Sequence, residues 1–249
     1  MKIPKLQIGI FSLTSCEGCC FSVLDWPAEF LSLKEKVEIK NFRLFEEAEH
    51  FDNERFDVVF IEGSPLTEKD IKQIKTLRKN SKVVVAFGAC AHIGGVYHLK
   101  QYQDKNKIFN HIYHNLTMRG VENNDVQPLN ALIEIDFVLP GCPINAKEFF
   151  QFIYQFLIGK SPTLLNNPVC YECQIHGNEC LLQKGEVCLG PITRAGCEAV
   201  CLKSKQGCWG CRGLIEDAET TNLLKKLREK FNDKEIIKHL EVFGIKEQI

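Results

Sequence analysis

Apolar runs alternate with helical patterns through the first 160 residues. Residues 5–13 form a β-rich run without strong polar alternation, and residues 56–62, 82–87 and 133–139 repeat that character. Continuous apolar runs of this length predict strands covered on both faces, whereas the better alternation of residues 37–45 predicts an edge strand. Helical patterns lie between them at residues 21–33, 67–79 and 145–158. Thr67 is placed to cap the second, with Asp70 in its first turn, and Asn145 to cap the third. Strand and helix in alternation predict an α/β fold: a flavodoxin-like, doubly wound parallel sheet over residues 1–160. Residues 91–131 show no clear period and read as a long irregular insertion. Residues 159–169 have the composition of a linker.

Beyond the linker the pattern changes. Residues 168–213 have little apolar periodicity and read as a small irregular domain. Residues 214–249 form a helical tail, with two short charged helices around residues 223–227 and 236–242. Acidic and basic residues nearly balance in the tail, which predicts a solvated face or a subunit contact. At 249 residues the chain has room for one large core, or one core and an appendage. An apolar content of 45%, a charged content of 25% and a net charge of −1 fit a globular protein and give no basic surface for nucleic acid. The first residues run straight into a strand pattern, and no apolar run is long enough to span a bilayer. The expected location is therefore cytoplasmic, without direct membrane insertion.

Cysteine changes the picture most. The chain has thirteen, eight of them between Cys170 and Cys211: Cys170, Cys173, Cys180, Cys188, Cys197, Cys201, Cys208 and Cys211. Each end of this stretch is a C-x-x-C pair. Such density marks a metal site or a disulfide framework, and a reducing compartment favours metal. A segment with so little to bury needs that metal to fold. Two zinc sites and two iron–sulfur clusters both remain open on spacing alone. The other five cysteines follow predicted strands: Cys16, Cys19 and Cys20 the first, Cys90 the fourth, Cys142 the fifth. Doubly wound sheets bind ligands at those carboxyl ends. Cys16, Cys19, Cys90 and Cys142 would make one four-thiolate site, leaving Cys20 as a spare buried thiol. Gly18, Gly88 and Gly141 lie among them, and Pro140 and Pro143 bracket Cys142. His92 and His98 read as surface or interface groups. Residues 62–64 read as a turn beside the crevice or a cover for it, and Trp209 as a shield against water or ordinary packing.

The runs LTSCEGC at 13–19, GACAHIGG at 88–95 and PGCP at 140–143 resemble motifs of the small subunits of nickel–iron hydrogenases. The runs CLGPITRAGC at 188–197 and GCWGCRG at 207–213 resemble the cytosolic group, with its sulfhydrogenase-type, deazaflavin-reducing and heterodisulfide-reductase-linked enzymes. This resemblance implies an electron-transfer subunit of a hydrogenase complex, which carries three [4Fe–4S] clusters and does not itself split dihydrogen. Cys16, Cys19, Cys90 and Cys142 would hold the proximal cluster. Cys170, Cys173, Cys180 and Cys188 would hold the distal one, and Cys197, Cys201, Cys208 and Cys211 the medial one. The implied partners are a large subunit bearing the nickel–iron site and a flavin- or iron–sulfur-containing reductase. The terminal acceptor is left open among NAD(P), deazaflavin, sulfur and a heterodisulfide reductase. Many relatives have Glu where Cys20 stands. Periplasmic relatives have His and Pro at what correspond to Cys170 and Cys201. The alternatives are a zinc-stabilised scaffold and the cluster-bearing subunit of a complex I-like quinone reductase, which resembles only the first half of this chain.

Overall fold

The strands of the computed structural model are β1 (Leu6–Ser12), β2 (Val37–Phe42), β3 (Phe56–Glu62), β4 (Ser81–Phe87) and β5 (Phe137–Leu139). They lie in the order β2-β1-β3-β4-β5, with every neighbouring pair parallel. This is the flavodoxin-like order, and the edge strand is the one whose sequence alternates. Residues 5–45, 53–114 and 124–249 are described. The first four residues, and residues 115–123 of the expected insertion, lie outside them.

Both faces of the sheet are covered, which is why its strands read as continuous apolar runs. On one face Ile8, Ile10, Phe60 and Phe87 pack against α1 (Gly18–Leu24), α2 (Pro27–Lys36) and α6 (Ala146–Leu157). Phe60 and Phe149 meet there with ring centroids 5.1 Å apart. On the other face Val59, Ile61 and Val84 pack against Ile74 and Leu77 of α3 (Glu68–Asn80). Each such fully buried side chain contributes about 1.5–3 kcal/mol. Thr67 and Asp70 close a reciprocal capping box at the start of α3, and Asn145 caps α6 through the Lys147 N–H.

Several expectations are corrected. The first helix is two, because Pro27 lacks an N–H and holds Trp26 out of helical geometry. The last strand is shorter than residues 133–139: the Asp136 carboxylate takes the Val84 N–H at 2.7 Å, ending the backbone ladder there. The insertion is not irregular. It holds α4 (Ala89–Ile93), a 3₁₀ helix (Gly95–Tyr102), α5 (Lys105–Tyr113) capped by Asp104, and a 3₁₀ turn (Leu129–Ala131).

The cysteine-rich segment contains α7 (Val169–Ile175) and α8 (Val200–Lys203), and the tail contains α9 (Thr220–Arg228) and α10 (Asp233–Glu241). The tail's charges face water, but its apolar stripe does not. Leu223, Leu227, Ile236 and Leu240 form a core with Leu189 and Ile192 of the cysteine-rich segment and Ala89 and Ile93 of α4. No helix among the described residues is long and apolar enough to cross a membrane.

Candidate functional site

The loops after β1, β4 and β5 meet at the carboxyl end of the sheet and are tied to one another through the backbone. Gly88 donates to the Leu139 carbonyl at 2.8 Å and Ala89 to the Gly141 carbonyl at 2.7 Å, fixing the loop of Cys90 against that of Cys142. Leu13 donates to the Glu62 carbonyl and Ser64 to that of Thr14, joining the loop of Cys16 to the end of β3. Gly88 has a φ of +89°, and a Cβ there would stand 2.4 Å from Cys19 Sγ. Only glycine lets the backbone turn that closely past the thiol.

Cys16, Cys19, Cys90 and Cys142 face one another. Burial is the main force raising the Cys90 thiol to about 12, and the sulfurs of Cys142 and Cys16 add to it. Burial raises Cys19 beyond the ordinary range, helped by Glu62, Cys142 and Cys90, and it raises Cys142 together with Cys16 and Glu62. Cys16 and Cys142 are exposed, whereas Cys19 is buried. Cys20 turns away from this group. It is fully buried, its sulfur lies 3.7 Å from Ser12 Oγ, and its thiol is raised by burial and by Glu62.

Glu62 ends β3 and leads into the turn at Gly63, beside the loop of Cys19. It is buried at the end of β3, where its Oε1 accepts the Cys19 N–H at 3.1 Å. Its Oε2 is buried without a hydrogen-bond partner, and burial raises its carboxyl above the usual carboxylate range. His98 is buried rather than at the surface, whereas His92 is half-buried. Burial lowers His92 to about 4 on α4, and His98 is buried beside Tyr102.

The eight later thiols fall into two further groups. Cys170 and Cys173 lie one turn apart on α7, and Cys170 is raised to about 12 by burial and then by Cys188, Cys173 and Cys180. Cys188 Sγ accepts the Cys208 N–H at 3.2 Å. In the other group, Cys197 feels Cys201, and Cys211 feels Cys197. Cys197, Cys201, Cys208 and Cys211 all border one cavity of about 540 Å³, which also reaches Cys142. Two contacts link the groups in series: Cys142 to Cys211, and Cys188 to Cys208. Trp209 stacks on His239 of α10, with ring centroids 3.6 Å apart and planes 10° apart.

The thiols of Cys16, Cys19, Cys20, Cys90, Cys142 and the eight later cysteines are free. Among the described residues no three Cys, His, Asp or Glu side chains converge closely enough to share a single metal ion. Buried thiols raised in this way stay protonated unless a multiply charged metal group compensates them, and tetrathiolate donor sets are those of [4Fe–4S] clusters. The residues fit that group.

Two features were not legible in the sequence. Arg212 is 1% exposed, and its guanidinium makes a bidentate pair with Glu148, 2.8 Å to each oxygen. Glu172 of α7 accepts the Gly196 N–H at 2.9 Å, tying α7 to the residue before Cys197. The only signal was the placement of Arg212 directly after a C-x-x-C pair.

Residues 16–156 match the family described as NADH ubiquinone oxidoreductase, 20 Kd subunit. The chain is 31% identical over 240 residues to sulfhydrogenase 2 subunit delta of Pyrococcus furiosus, covering 96% of this chain and 99% of that protein. It is 30% identical to a subunit of the F420-non-reducing hydrogenase vhu of Methanocaldococcus jannaschii, covering 84% of this chain and 82% of that one. A chain of the NAD+-reducing [NiFe]-hydrogenase solved in its H2-reduced state superimposes with a TM-score of 0.56 at 25% identity, over 65% of this chain and 96% of that one.

Proposed function

The chain belongs to the NADH ubiquinone oxidoreductase 20 kDa subunit family, and within it to the hydrogenase small subunits, and from that membership we propose that it is an electron-transfer subunit carrying three [4Fe–4S] clusters. Cys16, Cys19, Cys90 and Cys142 would hold the proximal cluster. Cys197, Cys201, Cys208 and Cys211 would hold the medial one, and Cys170, Cys173, Cys180 and Cys188 the distal one. When bound, the three supply one-electron chemistry between the nickel–iron site of a large subunit and a partner reductase. The observation that supports this reading is the adjacency of the thiols: the Cys208 N–H donates to Cys188 Sγ at 3.2 Å, and Cys142 borders the same cavity as Cys197, Cys201, Cys208 and Cys211.

The chain's own residues prepare these sites. Burial of Cys19, Cys188 and Cys208 excludes water, and the Cys208 N–H directed at Cys188 Sγ stabilises negative charge on that sulfur. Glu62 orients the turn after β1 through the Cys19 N–H. Cys16 and Cys142 are exposed, as are the apolar Phe21 and Val96, and a large subunit would cover them. The complex would be cytoplasmic.

Three cubanes require about twelve irons and as many acid-labile sulfides per chain. Anaerobically purified protein should be brown, should bleach with dithionite and should give those counts. A colourless protein holding two or three zincs would replace the electron-transfer reading with a structural scaffold.

A further inference from the structure

A buried guanidinium costs several kcal/mol unless fully paired, and an apolar side chain of similar volume often serves a core as well or better. Arg212 therefore needs a reason beyond stability. Every contact it makes leads to a thiol-bearing segment. Its Nη1 donates at 2.8 Å to the carbonyl of Pro140, which stands just ahead of Cys142. Its Nε donates at 2.9 Å to the carbonyl of Ala195, just ahead of Cys197, and at 3.2 Å to that of Arg194. Its own backbone follows Cys211. Its Nη2 is held by both oxygens of Glu148, whose helix is capped by Asn145, and Asn145 Nδ2 donates to the Gly196 carbonyl at 2.7 Å. Gly196 has a φ of +115°, and a Cβ there would lie 2.0 Å from Glu148 Oε1 and 2.2 Å from Arg212 Nη2. The chain leaves the side chain out so that the ion pair can form.

The two charges are not placed symmetrically. Arg212 borders the cavity ringed by Cys142, Cys197, Cys201, Cys208 and Cys211, and Glu148 does not. Glu148 lies behind the guanidinium, lining a smaller polar cavity with Gln151, Glu172 and Gly196. The guanidinium charge at the edge of this cavity favours added negative charge there, and the carboxylate of Glu148 behind it offsets part of that effect.

We infer that Arg212 is a positioning residue between the proximal and medial sites: its Nη1 on Pro140 and its Nε on Ala195 fix the loops of Cys142 and Cys197 against the hairpin of Cys211, and its charge, trimmed by Glu148 behind it, sets the medial site to accept the electron. This rests on the function proposed above. Reduction adds one negative charge, which a nearby cation favours. Removing the cation should lower the medial potential, and removing the counter-charge should raise it.

The test is a redox titration followed by low-temperature EPR on the intact complex, in wild type and in the Arg212→Gln, Arg212→Lys and Glu148→Gln variants. The medial signal is identified as the one lost in Cys197→Ser. At fixed potential Arg212→Gln should cut the medial reduced-to-oxidised ratio about tenfold, equivalent to about 59 mV for one electron, while Glu148→Gln should move it the opposite way. Arg212→Lys keeps the charge with fewer donors. It should hold the potential near wild type but change the magnetic coupling between proximal and medial signals. If Arg212→Gln fails to retain iron, Glu148→Gln and Arg212→Lys still decide the matter. A purely structural pair would shift potentials in one direction or not at all, and that result overturns the inference alone. Wild-type complex with no cluster on the Cys197 group overturns the proposed function, and the inference with it.

Discussion

At the scale of single residues, adjacent thiols are given different surroundings. Glu62 acts on both thiols, but Cys19 also feels Cys142 and Cys90, while the Cys20 sulfur lies 3.7 Å from Ser12 Oγ. Cys20→Ser should therefore keep the full iron count, whereas Cys19→Ser should lose the proximal share, about a third of the total. Iron analysis and EPR on the two variants check this, and equal losses would put Cys20 among the ligands. Cys201 offers a second residue-level case. It borders the cavity shared with Cys197, Cys208 and Cys211. A cubane corner without a thiolate is held by sulfides alone and is readily lost. Cys201→Pro is expected to turn the medial cluster into a three-iron form while the distal one survives. Oxidised variant protein should then show a three-iron EPR signal that wild type lacks; an unchanged iron count without that signal would remove Cys201 from the set.

At the scale of elements, α10 is held by a titratable contact. Burial, with a smaller effect of Lys238, lowers His239 to about 4 from an ordinary 6.5. The unfolded imidazole thus binds protons more readily than the folded one. The stabilisation from keeping it neutral is complete above about 6.5 and is lost as pH falls from there through about 4. Because His239 stacks on Trp209, a Trp26→Phe variant should show Trp209 fluorescence changing across that window, and His239→Phe should abolish the change. The stack was not legible in the sequence, since nothing in local spacing joins residues so far apart. The sheet was legible, because strands buried on both faces leave continuous apolar runs. The ends of elements were less so. Pro27 split a helix within an unbroken apolar pattern, and Asp136 cut a strand short with its side chain. The cysteines could be grouped because a parallel sheet gathers its loops at one end. Arg212 and Glu148 could not, because a buried ion pair spanning distant segments looks in sequence like two surface charges.

At the scale of the whole molecule, one face is unfinished. Cys16 and Cys142 are exposed, and so are the apolar Phe21 and Val96 on the segments that carry Cys20 and follow Cys90. A hydrogenase large subunit on that face should bury well above about 1,200 Å², as obligate interfaces do. Hydrogen exchange on the complex and on the isolated chain should show protection concentrated in residues 16–22 and 90–97 and lost on separation. A monodisperse isolated chain whose proximal cluster survives in air would contradict the expected partner.

The packing beneath the Cys208–Cys211 hairpin also has a consequence for how the protein is made. Ile245 is fully buried, and a Cβ on Gly210 would meet its Cγ1 at 2.6 Å. The backing of the hairpin is therefore synthesised later than the cysteines it supports, after the intervening pair of helices α9 and α10. At about 5–20 residues per second, this leaves an interval of seconds in which those thiols exist without their floor. Iron delivered in that interval meets an open hairpin, and iron delivered afterwards meets a closed one. On the proposed function, a cluster on the Cys208–Cys211 hairpin would be easiest to insert before this segment packs and would be enclosed afterwards.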